Sequence, residues 1–346
     1  MGVKKTLALL ISTAAIVSLA ACGTSGASSK KSTTNTDDIS FMLDWTANTN
    51  HVGVYVAQAL GYYKAAGVNV SVLPTSQSGA ETAVETGVAD VGFTTLSNVA
   101  AVDSQGSHLK FVYDLTQKQV ARWCSLASRT DITTPKDFDG KTFVTFGSAE
   151  QTAVLKQMIK TAGGTGKFNT ATVGTSTFQT LTNGKGDFGG FYETWEGVES
   201  KLNGPKLTCF VASDWGVPGN PDQLGFAVNS TWEKTHKSTL QKFISATTKG
   251  YNYALRHPQK AADILVKQAA DANLDTTLTR ASMKTIVEGK YWGNPADLGV
   301  TDLTAAQKYL TFLWKNGVYT NDGVKAANPP QASDLASNDY AAAAHR

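Results

Sequence analysis

The sequence predicts an α/β protein of two parallel-rich lobes, with a ligand cleft between them and a hinge that the chain crosses twice. Three observations carry this expectation. Short apolar runs alternate with stretches of helical periodicity from Ile39 to Tyr113, the pattern of a mostly parallel sheet with both faces covered. The same alternation starts afresh past residue 120, and everything after Val228 is helical in pattern. The chain has 346 residues, more than one typical core accommodates and suited to two lobes.

Taken in order, Met1-Gly2-Val3-Lys4-Lys5 is a cationic head. The run from Leu7 to Ala21 is its apolar core, and Leu19-Ala20-Ala21-Cys22 ends it. Positive head, apolar stretch and small residues predict a signal peptide over 1–22. The run is shorter than the roughly 20 apolar residues a spanning helix needs. Residues 23–38, GTSGASSKKSTTNTDD, hold almost nothing apolar and predict a flexible tether.

The first lobe opens with a strand at Ile39 to Leu43 and a helix over Gly53 to Leu60 that stops at Gly61. Strands follow at Val68 to Leu73, Val91 to Phe93 and Leu109 to Tyr113, separated by helices at Thr82 to Thr86 and Leu96 to Val102. In the second lobe the strands are Ser125 to Ala127, Lys141 to Phe146, Ala171 to Val173, Asp187 to Phe191 and Lys206 to Val211. Its helices are Ala149 to Thr161 and Phe178 to Thr182. A strand at Leu224 to Val228 then precedes helices at Thr239 to Arg256, Pro258 to Ala270, Thr277 to Glu288 and Ala305 to Asn316. The second lobe (122–222) therefore reads as an insertion into the first (39–121 and 223–346), with crossings near Lys118 to Arg122 and Asp222 to Gly225. A two-crossing hinge leaves a cleft between two sheets, the usual home of a small ligand.

Without Lys4 and Lys5 the chain holds 29 basic against 28 acidic residues, and it has no basic block, so nothing points to nucleic acid. Two cysteines remain beside Cys22, and with scattered histidines they give no metal-ligand spacing. Cys124 and Cys209 both lie on strand-like stretches. An exported protein permits a disulfide between them, and two buried thiols are the alternative. No Gly-x-Ser-x-Gly elbow, nucleotide-binding glycine loop or His-Glu-x-x-His is present, so no enzyme activity and no cofactor is expected.

In an open parallel sheet the ligand lies beyond the carboxyl ends of the strands. The first strand ends in Asp44 to His51, where Trp45 offers a stacking face and Asn48 and His51 polar contacts. Ser76 and Ser78 follow the second strand, Thr94 and Ser97 the third, and Gln117 lies near the first crossing. In the second lobe Gly147-Ser148-Ala149-Glu150 follows a strand and precedes a helix. Aromatics and carboxylates gather more densely at Tyr192-Glu193-Thr194-Trp195-Glu196. An acid beside an aromatic platform suits an aminated heteroaromatic ring, which stacks while the acid accepts its N–H groups. Tyr192, Trp195 and Glu196 are the expected contacts, with Glu196 preferred to Glu193.

The segment Leu43-Asp44-Trp45-Thr46-Ala47-Asn48-Thr49-Asn50-His51-Val52-Gly53-Val54-Tyr55, with Gly61-Tyr62-Tyr63, Trp195-Glu196-Gly197-Val198-Glu199 and Gly216-Val217-Pro218, resembles one family in particular. It contains thiamine-pyrimidine-precursor binding proteins of ABC importers and the yeast pyrimidine-precursor synthases. Gly87-Val88-Ala89-Asp90 and Asp137-Phe138-Asp139-Gly140-Lys141 are shared more widely, with alkanesulfonate- and riboflavin-binding relatives.

The resemblance, over roughly residues 39 to 325, implies a periplasmic-binding-protein type II fold. It further implies capture of formylaminopyrimidine or hydroxymethylpyrimidine and delivery to a permease. The aromatic stack would fall at Trp45 or Trp195 and the ring-contacting acid at Glu196. The lipobox-like ending implies lipidation of Cys22, a membrane contact through that lipid alone, and a monomer at the outer face of a bacterial cell membrane. Riboflavin, a sulfonate such as taurine, and a synthase-like activity are the alternatives. Thr46-Ala47 stands where relatives often carry an aromatic-proline pair, and Gly219-Asn220-Pro221-Asp222 where they keep an acidic-aromatic run.

Overall fold

In the computed structural model the described residues are 37–76 and 78–345. The expected signal peptide, Cys22 and most of the expected tether lie outside them. Among the described residues no helix is long and apolar enough to cross a membrane.

The first sheet is made of β1 (Asp37–Met42), β2 (Val68–Leu73), β3 (Val91–Thr95), β4 (Leu109–Asp114) and β10 (Leu224–Asn229), in the order β2-β1-β3-β10-β4. The strands that make up the second sheet all fall between β4 and β10 in sequence. They are β5 (Ala121–Leu126), β6 (Thr142–Thr145), β7 (Asn169–Thr172), β8 (Phe188–Tyr192) and β9 (Leu207–Phe210), in the order β7-β6-β8-β5-β9. The first strand begins at Asp37, two residues before the apolar run, because Asp37 and Asp38 pair with Val68 and Asn69. Each sheet departs from parallel at one strand. β10 runs antiparallel to β3 and β4, and β5 runs antiparallel to β8 and β9. These are the two strands that directly follow the crossings.

Helices follow the strands as α1 (Val52–Ala59), α2 (Tyr62–Ala66), α3 (Gly79–Glu85), α4 (Leu96–Asp103), α5 (Ala149–Thr161), α6 (Thr177–Thr182) and α7 (Glu196–Asn203). After β10 come α8 (Ser230–Arg256), α9 (Pro258–Gln268), α10 (Thr276–Gly289) and α11 (Leu303–Lys315). α7 was not anticipated, because Glu196-Gly197-Val198-Glu199 reads locally as a polar strand end. α8 starts nine residues before the expected helix; His236 has non-helical angles and joins two helical stretches. The C-terminal segment packs: Leu335, Ala336, Tyr340 and Ala341 are buried, and Ala336 bridges to Phe111 of β4.

Both faces of the first sheet are covered, and neighbouring residues on one strand show it. Phe41 and Phe226 belong to a cluster with Val56, Phe243 and Leu265, whereas Met42 and Ala227 belong to another with Val84, Val99 and Leu310. Successive strand side chains point to opposite faces, so each strand feeds two cores. Phe41 and Phe226 meet edge to face at 5.3 Å. In the second sheet Cys124 of β5 stands opposite Cys209 of β9, and the two form a disulfide.

The hinge is tied through one carboxylate. Asp222, on the second crossing, accepts the backbone N–H groups of Val120 and Ala121, on the first, at 2.7 and 2.8 Å. Asn220 donates its amide to the Thr116 carbonyl at 3.1 Å.

Candidate functional site

A cavity of about 260 Å³ lies between the two sheets. Strand ends and crossings from both supply its walls. From the first come Asp44, Trp45, Asn48, Glu81 and Asn98, and from the second Trp123, Phe146, Glu150, Tyr192, Trp195 and Glu196. Gln119, Asp222 and Tyr309 close it near the hinge.

Trp45 and Phe146 meet across the opening, ring centroids 5.8 Å apart with planes at 70°. The Trp45 loop is held by its own polar residues. Asn48 accepts the Asn50 N–H at 2.9 Å through Oδ1 and donates its amide to the Thr46 carbonyl at 3.0 Å. His51 is fully buried. Its Nδ1 accepts the Asn48 N–H at 3.1 Å, which leaves Nε2 protonated to donate to Asp44 Oδ1 at 2.9 Å. His51 therefore fixes the loop from behind and does not line the cavity.

Among the described residues the lining carries five carboxylates, Asp44, Glu81, Glu150, Glu196 and Asp222, and no lysine, arginine or histidine. Burial pushes the Glu150 carboxyl up to about 7, against hydrogen bonds from Tyr309 and Ser97 that pull it down. Those bonds are Tyr309 Oη to Oε1 at 2.5 Å and Ser97 Oγ to Oε2 at 2.7 Å. Glu150 opens a helix of the second lobe, and both donors sit on helices of the first, so this carboxylate clamps the lobes together. Burial likewise pushes Glu196 up to about 7, although it accepts the Tyr192 N–H at 3.1 Å. Asp222 is raised to about 6 by burial, which outweighs its two backbone donors. Removal from water disfavours the charged carboxylate in all three. Such a site offers oxygen acceptors to N–H donors and no positive charge to balance an oxyanion.

Of the residues expected from sequence, Trp45, Asn48, Tyr192, Trp195 and Glu196 share this cavity. The others do not line it. Ser76 and Ser78 are exposed, their hydroxyls 3.0 Å apart. Thr94 is buried and donates to Glu81, and Ser97 is buried on Glu150. Gln117 donates to the Asp114 and Val300 carbonyls, both at 3.0 Å, which makes it part of the hinge. Hydroxyls at strand ends served the carboxylates beside them, which a local reading cannot distinguish from serving a ligand. Glu193 turns away to Lys201 and Arg122. Arg122 donates to the Gln119 and Ala121 carbonyls and to the Tyr291 hydroxyl, outside the cavity.

Sequence reasoning missed Glu81, Trp123, Asp222 and Tyr309 as lining residues. Glu150 was missed as well, although its place after a strand and at the start of a helix, like that of Glu196, is a signal that could have found it. Tyr309 had no local signal, because it reaches the cleft from a C-terminal helix that joins the first lobe only after the chain has returned from the second.

The formylaminopyrimidine-binding protein of Halalkalibacterium halodurans is 26% identical over 272 residues, covering 78% of this chain and 80% of that protein. The Saccharomyces cerevisiae 4-amino-5-hydroxymethyl-2-methylpyrimidine phosphate synthase is 30% identical over only 73 residues, 21% of this chain and 22% of the synthase. The relative matched along most of its length is thus a binding protein, not an enzyme, and the described residues hold no metal-binding group of His, Cys, Asp and Glu. The alkanesulfonate-binding protein of Xanthomonas axonopodis pv. citri, solved bound to MOPS, superposes with a TM-score of 0.67 at 10% identity. That superposition covers 87% of this chain and 98% of that one and shows a shared type II periplasmic-binding-protein fold. The family described as NMT1/THI5 like matches residues 48–261, more than half of the sequence, and the chain belongs to that family.

Proposed function

We propose that this protein is the solute-binding component of an ABC importer and captures a thiamine pyrimidine precursor, formylaminopyrimidine or hydroxymethylpyrimidine. One observation carries the reading: aromatic walls surround five carboxylates in a cavity that has no cationic side chain among the described residues. A flat aminated ring stacks on Trp45 or Trp195 and donates its N–H groups to Glu196, a pairing of apolar area with charge-assisted hydrogen bonds. The name of the Halalkalibacterium halodurans relative supports this ligand class. A sulfonate would meet five carboxylates and, among the described residues, no cationic side chain to balance its charge. A tricyclic flavin is large for about 260 Å³, below the roughly 300–1,000 Å³ of drug-sized sites.

Capture works by closure. The ligand contacts both lobes, so it favours the closed state over the open one by its differential affinity, and a permease reads that state. A lipid on Cys22 would hold a monomeric binder at the outer face of the membrane, with no nucleic-acid partner and no cofactor. The test is calorimetric titration of the purified full chain with formylaminopyrimidine, hydroxymethylpyrimidine, riboflavin and taurine in one buffer. Micromolar or tighter binding of a pyrimidine alone is expected. Binding of taurine or riboflavin with silence from both pyrimidines would reject the ligand class, and turnover in place of stoichiometric retention would reject carriage.

A further inference from the structure

The cavity supplies acceptors in excess, but two residues of its lining carry buried donors that have no partner in the protein. Gln119 Nε2 and Trp123 Nε1 are both buried without a hydrogen-bond partner among the described residues, and both residues line the cavity. Trp123 is only 4% exposed. Three other lining donors are spent inside the protein: the Asn48 amide on Thr46, the Asn98 amide on Glu81 and the Tyr309 hydroxyl on Glu150. Buried donors are almost always paired, so two orphans in one ligand cavity point to a partner that arrives with the ligand.

Their placement follows from the strand. Gln119, Ala121 and Trp123 alternate along the entry to β5 and along β5 itself, and all three line the cavity. Residues two apart share one face of a strand. Ala121 keeps the space between the two long side chains clear. Gly190 stands opposite Trp123 in the neighbouring strand, where a Cβ would lie 3.0 Å from the indole Cζ3 and 3.2 Å from Gln151 Nε2. The glycine leaves the indole face open.

We infer that Gln119 and Trp123 are specificity-determining residues, donating to acceptor atoms of the ligand, a ring nitrogen and an exocyclic carbonyl or hydroxyl oxygen. The inference rests on the solute-binding reading and adds to it: carboxylates read the amine edge, and these two donors read the acceptors. A ring of the same shape without nitrogen or oxygen acceptors leaves both N–H groups buried and unpaired, and the site rejects it.

The test compares wild type, Gln119→Met and Trp123→Phe by calorimetry against formylaminopyrimidine and an analogue of the same shape in which both ring nitrogens are CH and an alkyl group replaces the formyl carbonyl. Thermal melts establish that each variant is folded, and Gln119→Met, nearly isosteric, keeps the test open if Trp123→Phe does not fold. Each variant is expected to weaken formylaminopyrimidine by about 10- to 100-fold, the effect of losing one buried hydrogen bond to a ligand, and to leave the analogue within about twofold. Unchanged affinity for formylaminopyrimidine in both variants overturns the inference while the proposed function stands. Equal losses for ligand and analogue show a packing role alone and overturn it too. If wild type binds riboflavin or taurine and neither pyrimidine, the proposed ligand class fails, and a tenfold loss of that bound compound in the variants still supports the donors. Binding of none of these compounds by wild type overturns both.

Discussion

Glu150→Ala removes the one carboxylate that holds helices of the first lobe from the second. Wild-type Glu150 accepts Tyr309 Oη at 2.5 Å and Ser97 Oγ at 2.7 Å. Hydrogen bonds to a charged group contribute about 1.5–3 kcal/mol each, offset here by the burial that pushes this carboxyl up to about 7. At pH 8, where the group is ionised, a net cost to the closed state of about 2 kcal/mol is the result, roughly a 30-fold fall in its weight. Apparent affinity scales with the fraction of competent closed protein, so the dissociation constant for formylaminopyrimidine should rise by up to about that factor, and by less the more closed the ligand-free wild type is. Small-angle scattering of the ligand-free variant should show a larger radius of gyration than wild type, and saturating ligand should bring the two together. Glu150→Gln, which keeps one acceptor and the size, should fall between. Unchanged affinity together with an unchanged ligand-free radius of gyration in Glu150→Ala would refute the clamp. Weaker binding without any change in shape would reassign Glu150 to direct ligand contact.

The raised carboxyls make a pH prediction with a definite sign. Glu150 and Glu196 go from an ordinary 4.5 up to about 7, so between those values the native state holds more protons than the unfolded chain. Their stabilising contribution is present below pH 4.5 and is lost as pH rises through 7, on the order of 2–3 kcal/mol apiece. Denaturant midpoints of the ligand-free protein should fall between pH 5 and pH 8, and Glu150→Gln/Glu196→Gln should flatten that fall; a midpoint that rises over the window would contradict the burial argument. Gly250→Ala tests the packing of α8 on α1. Alanine ordinarily stabilises a helix interior by about 1 kcal/mol over glycine, but a Cβ at Gly250 would lie 2.0 Å from the Gly53 carbonyl oxygen. A loss of about 3 kcal/mol is expected, and a higher melting temperature would show that the helices do not approach so closely.

What the sequence by itself determined follows from local periodicity. Strands at Val68 to Leu73 and Leu109 to Tyr113 and the helix at Ala149 to Thr161 were legible because apolar spacing and glycine stops are properties of a few consecutive residues. The aromatic-acidic cluster at Tyr192 to Glu196 was legible for the same reason. The reversals of β5 and β10 were not, because strand direction depends on how the chain re-enters each sheet, and alternation reads alike in either direction. Nor were the partners of the polar side chains. Ser97, Thr94 and His51 resemble ligand contacts in sequence, yet each is satisfied by a carboxylate 7 to 53 residues away. Tertiary structure alone decided that five carboxylates share one cavity without a cation, that Tyr309 closes it from a C-terminal helix, and that Gln119 and Trp123 keep unpaired donors there. The physical reason is that hydrogen bonding and desolvation depend on distances across the fold, and those exist only once both lobes and the helices after them have packed.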